Sequence, residues 1–297
     1  MNPVISTIVV NYNAGDFLRS CVDSLLNCPQ EIEIIVVDNA STDGSLNALQ
    51  GLSRVQIIKN PTNLGFAVAC NQGARVASAP FILFFNPDCS FKLGALAGLL
   101  DALSVDDQVG MVGGFLVNPD GTEQAGGRRA VPTPWRSFVR AFGLNRLANR
   151  WPKLFFDFYL HQQPLPDRPI EVEAISGACM LVRRGAIADV GLWDEGYFLH
   201  CEDLDWCMRF RQRGWKILFV PSARVTHARG VCGRSRPIFV EWHKHRGMLR
   251  FYRKFFRHQY PGVVIWLVAL GVWLRFGLVV ARHTVRRVGR MLGVGRG

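Results

Sequence analysis

Apolar positions along the chain follow two alternating rhythms. Val4–Asn11 (V-I-S-T-I-V-V-N), Glu31–Asp38 (E-I-E-I-I-V-V-D), Val55–Lys59 and Phe81–Phe85 are short β-branched or aromatic runs, the composition of buried strands. Between them, Asp16–Asn27 sets Phe17, Cys21, Val22, Leu25 and Leu26 at helical spacing. Ser45–Leu52 reads as a short helix and Gly65–Ala77 as a longer one. Strands separated by helices predict parallel pairing and a doubly wound α/β sheet. Ligands of such sheets sit beyond the carboxyl ends of the strands.

Residues 120–170 lose this regularity. They carry Gly126-Gly127-Arg128-Arg129, several prolines and the aromatic run Trp151–Tyr159, and are expected to form an acceptor-side insertion or mobile loops. Order is expected again over Val172–Arg183, Trp193–Trp215 and Lys216–Val220. No repeat of 20–50 residues is visible, which argues against a solenoid.

Composition adds a division of charge. The chain has 297 residues, 49% hydrophobic and 20% charged, with a net charge of +12. From Val231 onward there are fourteen Lys and Arg against one acid, Glu241, so residues 1–230 are within one charge of neutral. Basic tails meet nucleic acid or anionic lipid. The eight cysteines form no C-x2-C pair, so a zinc framework is not expected, and a reducing cytosol suits them better than a disulfide scaffold. The first residues show neither a basic n-region nor a long apolar h-region, so no signal peptide is expected.

Four polar signals close apolar strands: Asn11-Tyr12-Asn13, Asp38-Asn39-Ala40-Ser41-Thr42-Asp43-Gly44, Asn86-Pro87-Asp88, and His200-Cys201-Glu202-Asp203-Leu204-Asp205-Trp206. Each alone is an ordinary turn. In series, V-V-N-Y-N, V-V-D-N-A-S-T-D-G, N-x-G-F-A-x-A-x-N, F-F-N-P-D, S-G-A-C-M-L-V-R-R and F-L-H-C-E-D-L-D-W-C-M-R-F-R-Q-R-G-W resemble family 2 glycosyltransferases, and within them the bacterial rhamnosyltransferase-like branch. The resemblance covers roughly residues 4–230. It implies a GT-A fold with a doubly wound mixed sheet, a nucleotide-sugar donor, Mg²⁺ or Mn²⁺, and inversion at the anomeric carbon.

The chemistry asks for the same residue types. A departing nucleoside diphosphate gathers negative charge, which a divalent cation on hard carboxylate oxygen stabilises. Asp88, after the strand Phe81–Phe85, is placed for that role. By resemblance it is the last residue of the D-x-D motif, with Asn86 in place of the first acid, leaving one charged ligand and a metal weakly held without nucleotide. By resemblance, too, Asp38 binds the nucleotide base, Asn11 and Tyr12 line the base pocket, and Asn39 begins the turn that shapes it. Asn63, Gly65 and Asn71 match the pattern over ribose and diphosphate, and His227 in V-T-H-A-R-G matches a residue approaching the metal or diphosphate. A structural histidine is the other reading of His227, and Arg229 is a candidate phosphate contact.

An acceptor hydroxyl needs a base as it attacks. The resemblance assigns that role to Asp203, with Glu202 the alternative. Asp205 fits an ion pair with Arg209 at i+4. Gly177-Ala178 would pass close to the donor sugar, and Trp193-Asp194-Glu195 is expected on the acceptor side.

The tail completes the reading. Gly262–Ala281 carries one charge, Arg275, in twenty residues, approaching transmembrane length. A span would put the downstream arginines outside, against the positive-inside bias, so an in-plane amphipathic segment on anionic lipid is favoured over a spanning one. The aromatics Phe251, Tyr252, Phe255, Phe256, Tyr260, Trp266 and Trp273 are expected as an interfacial belt, which disfavours nucleic acid. The expected organisation is a glycosyltransferase domain over 1–230 (nucleotide-sugar half 1–118, acceptor and base half 119–230) and a membrane-associated tail over 231–297. The expected setting is the cytoplasmic face of the inner membrane, with a lipid-linked saccharide acceptor as in O-antigen, capsule or cell-wall glycan assembly. By resemblance alone the donor is dTDP-rhamnose. A membrane-bound, non-catalytic nucleotide-sugar sensor or scaffold is the alternative. A nucleotidyltransferase would need a Gly-rich basic loop that Val9-Val10-Asn11-Tyr12-Asn13 does not offer.

Overall fold

The first strand, β1 (Ile5–Asn11), is buried along its whole length, so both of its faces must be covered. The elements that cover it appear in the computed structural model, which describes residues 3–228, 230 and 236–291. After β1 come α1 (Asp16–Leu26), β2 (Ile32–Asp38), β3 (Val55–Lys59), α2 (Phe66–Val76), β4 (Phe81–Phe85), β5 (Cys89–Phe91), α3 (Ala95–Ser104) and β6 (Val109–Val117). The second half holds β7 (Arg128–Arg129), α4 (Pro134–Ala141), β8 (Ile170–Glu171), β9 (Ala174–Ile175), β10 (Cys179–Arg183), α5 (Arg184–Val190), α6 (Glu202–Gln212), β11 (Lys216–His227), α7 (Pro237–Phe256) and α8 (Gly262–Met291).

The main sheet runs β3-β2-β1-β4-β10-β6-β11-β5, with β8 also on β11. β3, β2, β1 and β4 are parallel. β10 enters antiparallel between β4 and β6, β11 lies parallel to β6, and β7 pairs β9 in a separate ribbon. Alternation divides the core. On one face Ile8, Val10, Ile35, Val37 and Phe84 pack with residues of α2, α6 and α7. On the other, Ile5, Val9, Ile34, Val36 and Phe85 meet Leu18, Cys21, Val22 and Leu25 of α1 and Leu96, Leu99 and Leu103 of α3. The register pairs Asn11 with Asp38 and Asp38 with Lys59, so the polar strand ends lie level along one edge.

Several expectations change. Phe17 is exposed and Leu18 takes its place in the core. The Ser45–Leu52 helix is a five-residue 3-10 turn, Ser45–Leu49, ended by the extended backbone of Gln50. The irregular stretch is built on arginines: Arg128 is buried, clasps Glu123 at 2.7 and 3.1 Å, and donates to the carbonyls of Gln163 and Pro164. The seven cysteines among the described residues are free thiols. Arg229 and Cys232 lie outside the described residues.

The largest correction concerns the tail. Phe251, Tyr252, Phe255 and Phe256, expected at a lipid interface, are buried and join the core on the α6 side of the sheet. At about 1.5–3 kcal/mol per fully buried large side chain, these residues fix α7 to the body. Arg250 and Lys254 of α7 reach Asp194 at 2.9 and 2.6 Å, and Lys254 also reaches the buried Asp205 at 2.7 Å. The packed body therefore runs past residue 230 through α7 and takes in Val272 of α8. α8 differs: Gly262–Val285 is long and apolar enough to cross a membrane by length and composition.

Candidate functional site

A cavity of about 810 Å³ opens beyond the carboxyl ends of β1 and β4. It gathers Tyr12, Asn39, Gly65, Asn86, Asp88, Glu202, Asp203 and His227 from separate stretches of chain. Asn11, Asp38 and Asn71, expected beside them, are not among its lining residues.

Asn11 and Asp38 are buried behind the wall. Asn11 Nδ2 donates to Asp38 Oδ1 at 2.7 Å and to the hydroxyls of Ser41 and Ser45 at 3.0 and 2.9 Å. Asp38 Oδ2 accepts from Ser41 N at 3.1 Å. This network fixes the turn that carries Asn39, whose Nδ2 donates to Gly65 O at 3.1 Å. Gly65 has φ +90°, and a Cβ there would stand 2.8 Å from Phe198 O. Its close approach is to Phe198, on the loop leading to α6.

Asn71 is a correction with a physical reason. Its amide is saturated by protein: Nδ2 donates to Trp193 O at 3.0 Å and Glu195 Oε1 at 2.8 Å, and Oδ1 accepts from Trp193 N at 3.0 Å. Trp193 is buried against Phe84 and Trp206. The Trp193-Asp194-Glu195 turn, expected at the acceptor, joins α2 to α7 through these contacts and the ion pairs of Asp194.

Asp88 and His227 meet because β4 ends at the turn before Asp88 and β11 ends at His227, with Ala228 N donating to Asp88 O at 3.0 Å. Asp88 Oδ1 and His227 Nε2 are 3.2 Å apart. Gln124 decides the tautomer. Its Nε2 donates to Asn118 Oδ1 and His227 O, which turns Oε1 toward His227 Nδ1 at 2.6 Å and requires the proton on Nδ1. In the neutral ring the Nε2 lone pair then faces a carboxylate oxygen, an arrangement relieved by a cation held between them. Cys89 Sγ belongs to the same cluster, but burial, followed by the charge of Asp88, pushes its thiol well up. Hard cations prefer carboxylate oxygen and leave sulfur to soft metals.

The acids Glu202 and Asp203 open α6. Before them His200 and Cys201 are both left-handed, at φ +68° and +70°, a bend costing about 1–3 kcal/mol per residue that persists where surrounding packing dictates it. Here α7 supplies the packing: a Cβ on Gly247 would stand 2.8 Å from His200 O. Asp203 Oδ1 accepts from Leu204 N at 2.8 Å, Oδ2 accepts from Gly177 N at 3.2 Å, and Oδ2 is ion-paired with Arg129. Glu202 is buried, and its Oε2 has no hydrogen-bond partner among the described residues. Burial, and then the charge of Asp203, raise its pKa. His200 lines the cavity. Asp205 pairs with Arg209 at 2.7 Å, as its spacing predicts.

Sequence reasoning missed Arg129, Gln124, Lys244 and Gly247. Arg129 was visible only as half of an Arg-Arg pair in an irregular stretch. The other three lie far in sequence from the motifs they support.

Comparison with known proteins agrees with this geometry. The family model described as "Glycosyl transferase family 2" matches residues 6–191. The chain is 32% identical over 240 residues to the N-acetylglucosaminyl-diphospho-decaprenol L-rhamnosyltransferase of Mycobacterium tuberculosis, covering 76% of each chain. It is 24% identical over 240 residues to rhamnosyltransferase WbbL of Escherichia coli, covering 75% of this chain and 83% of that one. Among solved structures it is similar to a mannosyltransferase from Pyrobaculum calidifontis in complex with GDP-Man and Mn²⁺ (TM-score 0.59, 16% identity, 100% and 82% coverage). It is also similar to GalNAc-T7 with UDP, GalNAc and Mn²⁺ (TM-score 0.57, 19% identity), where it covers 76% of this chain but 44% of the longer neighbour. The architecture is the GT-A fold, and the chain belongs to glycosyl transferase family 2.

Proposed function

We propose that this glycosyltransferase is metal-dependent and inverting, and moves rhamnose from dTDP-rhamnose to a hydroxyl of a lipid-linked saccharide. The setting is the cytoplasmic face of a bacterial inner membrane, in the synthesis of a cell-surface polysaccharide. The observation that carries the reading is that one cavity holds both the Asp88–His227 pair and Asp203 at the start of α6.

Asp203 takes the proton of the acceptor hydroxyl as its oxygen bonds to the anomeric carbon, and the bond from that carbon to the diphosphate breaks. Gly177 N, Leu204 N and Arg129 hold the carboxylate in one orientation, so proton transfer requires no search of rotamers. Asp88 Oδ1 and His227 Nε2 would hold Mg²⁺ or Mn²⁺, with Gln124 fixing the imidazole. When bound, such a cation offsets the negative charge of the departing diphosphate. Tyr12, Asn39 and Gly65 line the donor side, with Asn11 and Asp38 fixing that wall from behind.

The lipid-borne acceptor is supported by the mycobacterial relative, an N-acetylglucosaminyl-diphospho-decaprenol L-rhamnosyltransferase, and by α8. Ile265, Val268, Ala269 and Val272 face the core, and Trp273 and Phe276 pack on Trp242 of α7. The opposite face exposes Val263, Trp266, Leu267, Leu274 and Leu278. A helix with one face on the body and an apolar face outside suits an in-plane position at the membrane surface.

Calorimetric titration with UDP, dTDP and GDP, each with and without Mn²⁺, tests the donor site. Metal-dependent binding of dTDP is expected, followed by transfer from dTDP-rhamnose to a polyprenyl-diphospho-N-acetylglucosamine with inverted configuration. A folded protein that binds none of the three would overturn the reading and favour a membrane scaffold.

A further inference from the structure

Residues 133–158 form an arm beside the cavity whose apolar stripe is left exposed among the described residues. Thr133 caps α4, its hydroxyl accepting from Arg136 N at 3.2 Å, and Pro134 takes the first helical position. Trp135, Phe138 and Phe142 follow at i, i+3 and i+7, the spacing of a buried helix face, yet are 44%, 45% and 68% exposed. Trp135 Nε1 donates to Leu154 O at 2.7 Å, which folds the arm back and adds the exposed Trp151 and Leu154. The rings touch one another, with centroids 5.6 Å apart for Trp135–Phe138 and 4.6 Å for Phe138–Phe142. At roughly 150–250 Å² per aromatic side chain, four half-exposed rings leave several hundred Å² of apolar surface, the extent that marks an interaction site on a soluble monomer.

The charges around the rings indicate what covers them. Arg136 pairs with Glu173 and Arg140 with Asp157. Arg146, Arg150 and Lys153 are exposed, and no carboxylate pairs with them among the described residues. Aromatic rings beside cations that no described carboxylate neutralises match an anionic phospholipid surface, where tryptophans sit at headgroup level, phenylalanines enter the apolar boundary and cations meet phosphate. The arm is also placed to matter. Ser137 Oγ and Tyr252 OH are 2.6 Å apart and tie α4 to α7, while Pro132, Phe158 and Tyr159 at the arm's roots line the cavity.

We propose that this arm is a second membrane-contact surface, separate from α8, that seats the cavity on anionic phospholipid. Its purpose, though not its existence, rests on the reading that the acceptor is lipid-borne. Hydrogen–deuterium exchange of the full chain tests it, with phosphatidylglycerol vesicles and separately with phosphatidylcholine vesicles. Amides of residues 135–154 are expected to slow several-fold on the anionic vesicles only. Phe138→Glu with Phe142→Glu, both on exposed side chains, should remove that protection and leave nucleotide binding unchanged. The same pair should lower transfer to a long-chain lipid-linked acceptor in anionic vesicles about ten-fold and spare a short-chain, water-soluble acceptor. Exchange over 135–154 that is unaltered by anionic vesicles would overturn the proposal. So would protection that grows with protein concentration without vesicles, which would assign the patch to a second copy of the chain. Exchange is read without turnover, so failure of the glycosyltransferase reading would appear instead as lost transfer to both acceptors.

Discussion

Asp88 and Asp203 line the same cavity, but their surroundings differ in charge. Asp88 is paired, among the described residues, with His227 alone, and Gln124 engages the far imidazole nitrogen, so that in the neutral ring the nitrogen facing Asp88 is a lone pair. Asp203 accepts two backbone N–H groups and an arginine. The first is a carboxylate whose surroundings present lone pairs and ask for a cation. The second already has its cation and is held in orientation. Under the proposed function, two acids of one chemical type are fitted to different work by their neighbours. Arg129 gives the contrast a cost, since a carboxylate engaged by a guanidinium must share its lone pairs between that pair and an incoming proton.

The comparison breaks most sharply at Asp203. We predict that Asp203→Asn lowers turnover toward the upper end of the about 10²–10⁴-fold range for a lost general base, while nucleotide affinity stays at the native value. Turnover within about ten-fold of native would move the base elsewhere, with Glu202 next in place. Asp88→Ala should do the opposite, abolishing the Mn²⁺-dependent part of nucleotide affinity. Loss of a ligand should cost at least the about 10–100-fold seen for outer partners of metal sites. Titration with and without Mn²⁺ checks it, and an unchanged metal response would remove Asp88 from that role.

The strand-end half of the site was more legible in the sequence than the α6 half. Val4–Asn11, Glu31–Asp38 and Phe81–Phe85 are uninterrupted apolar runs, and in a parallel sheet the residue after each run must lie at one edge. Tyr12, Asn39 and Asp88 could therefore be placed without any long-range contact. Which polar residues stay free to face the cavity was harder to read, because saturation of hydrogen bonds decides it: Asn71 is spent on Trp193 and Glu195, and Asn11 on Asp38. The α6 half was legible as a motif and not as a structure. The bend at His200-Cys201 depends on Gly247, some 46 residues further on, and the partner of Asp203 comes from a segment whose order rests on arginine contacts and not on periodicity. The α7 part of the tail was misread for a related reason. α7 and α8 are both aromatic-rich and basic in sequence, and only packing tells the buried Phe251 and Phe255 from the exposed Trp266.

The smallest predicted effect sharpens the contrast most, because Glu202 stands beside Asp203 and could exchange roles with it. Burial and the charge of Asp203 raise the Glu202 carboxyl above its ordinary value of about 4.3. The folded state thus holds that proton more tightly than the unfolded chain does. The stability linked to it is fully present below the ordinary value and is lost as pH rises through the raised one. Glu202→Gln keeps the shape without the ionisation. Its Tm should therefore match the native protein near pH 5 and exceed it by a few °C at pH 9, with turnover within a few-fold of native. Thermal melts across that range, with rates measured on the same samples, give a clear division. A variant that gains no stability at high pH but loses turnover as severely as Asp203→Asn would make Glu202 the base. The ion pair of Asp203 with Arg129 would then be a structural brace for it, and the two carboxylates to compare across the cavity would be Asp88 and Glu202.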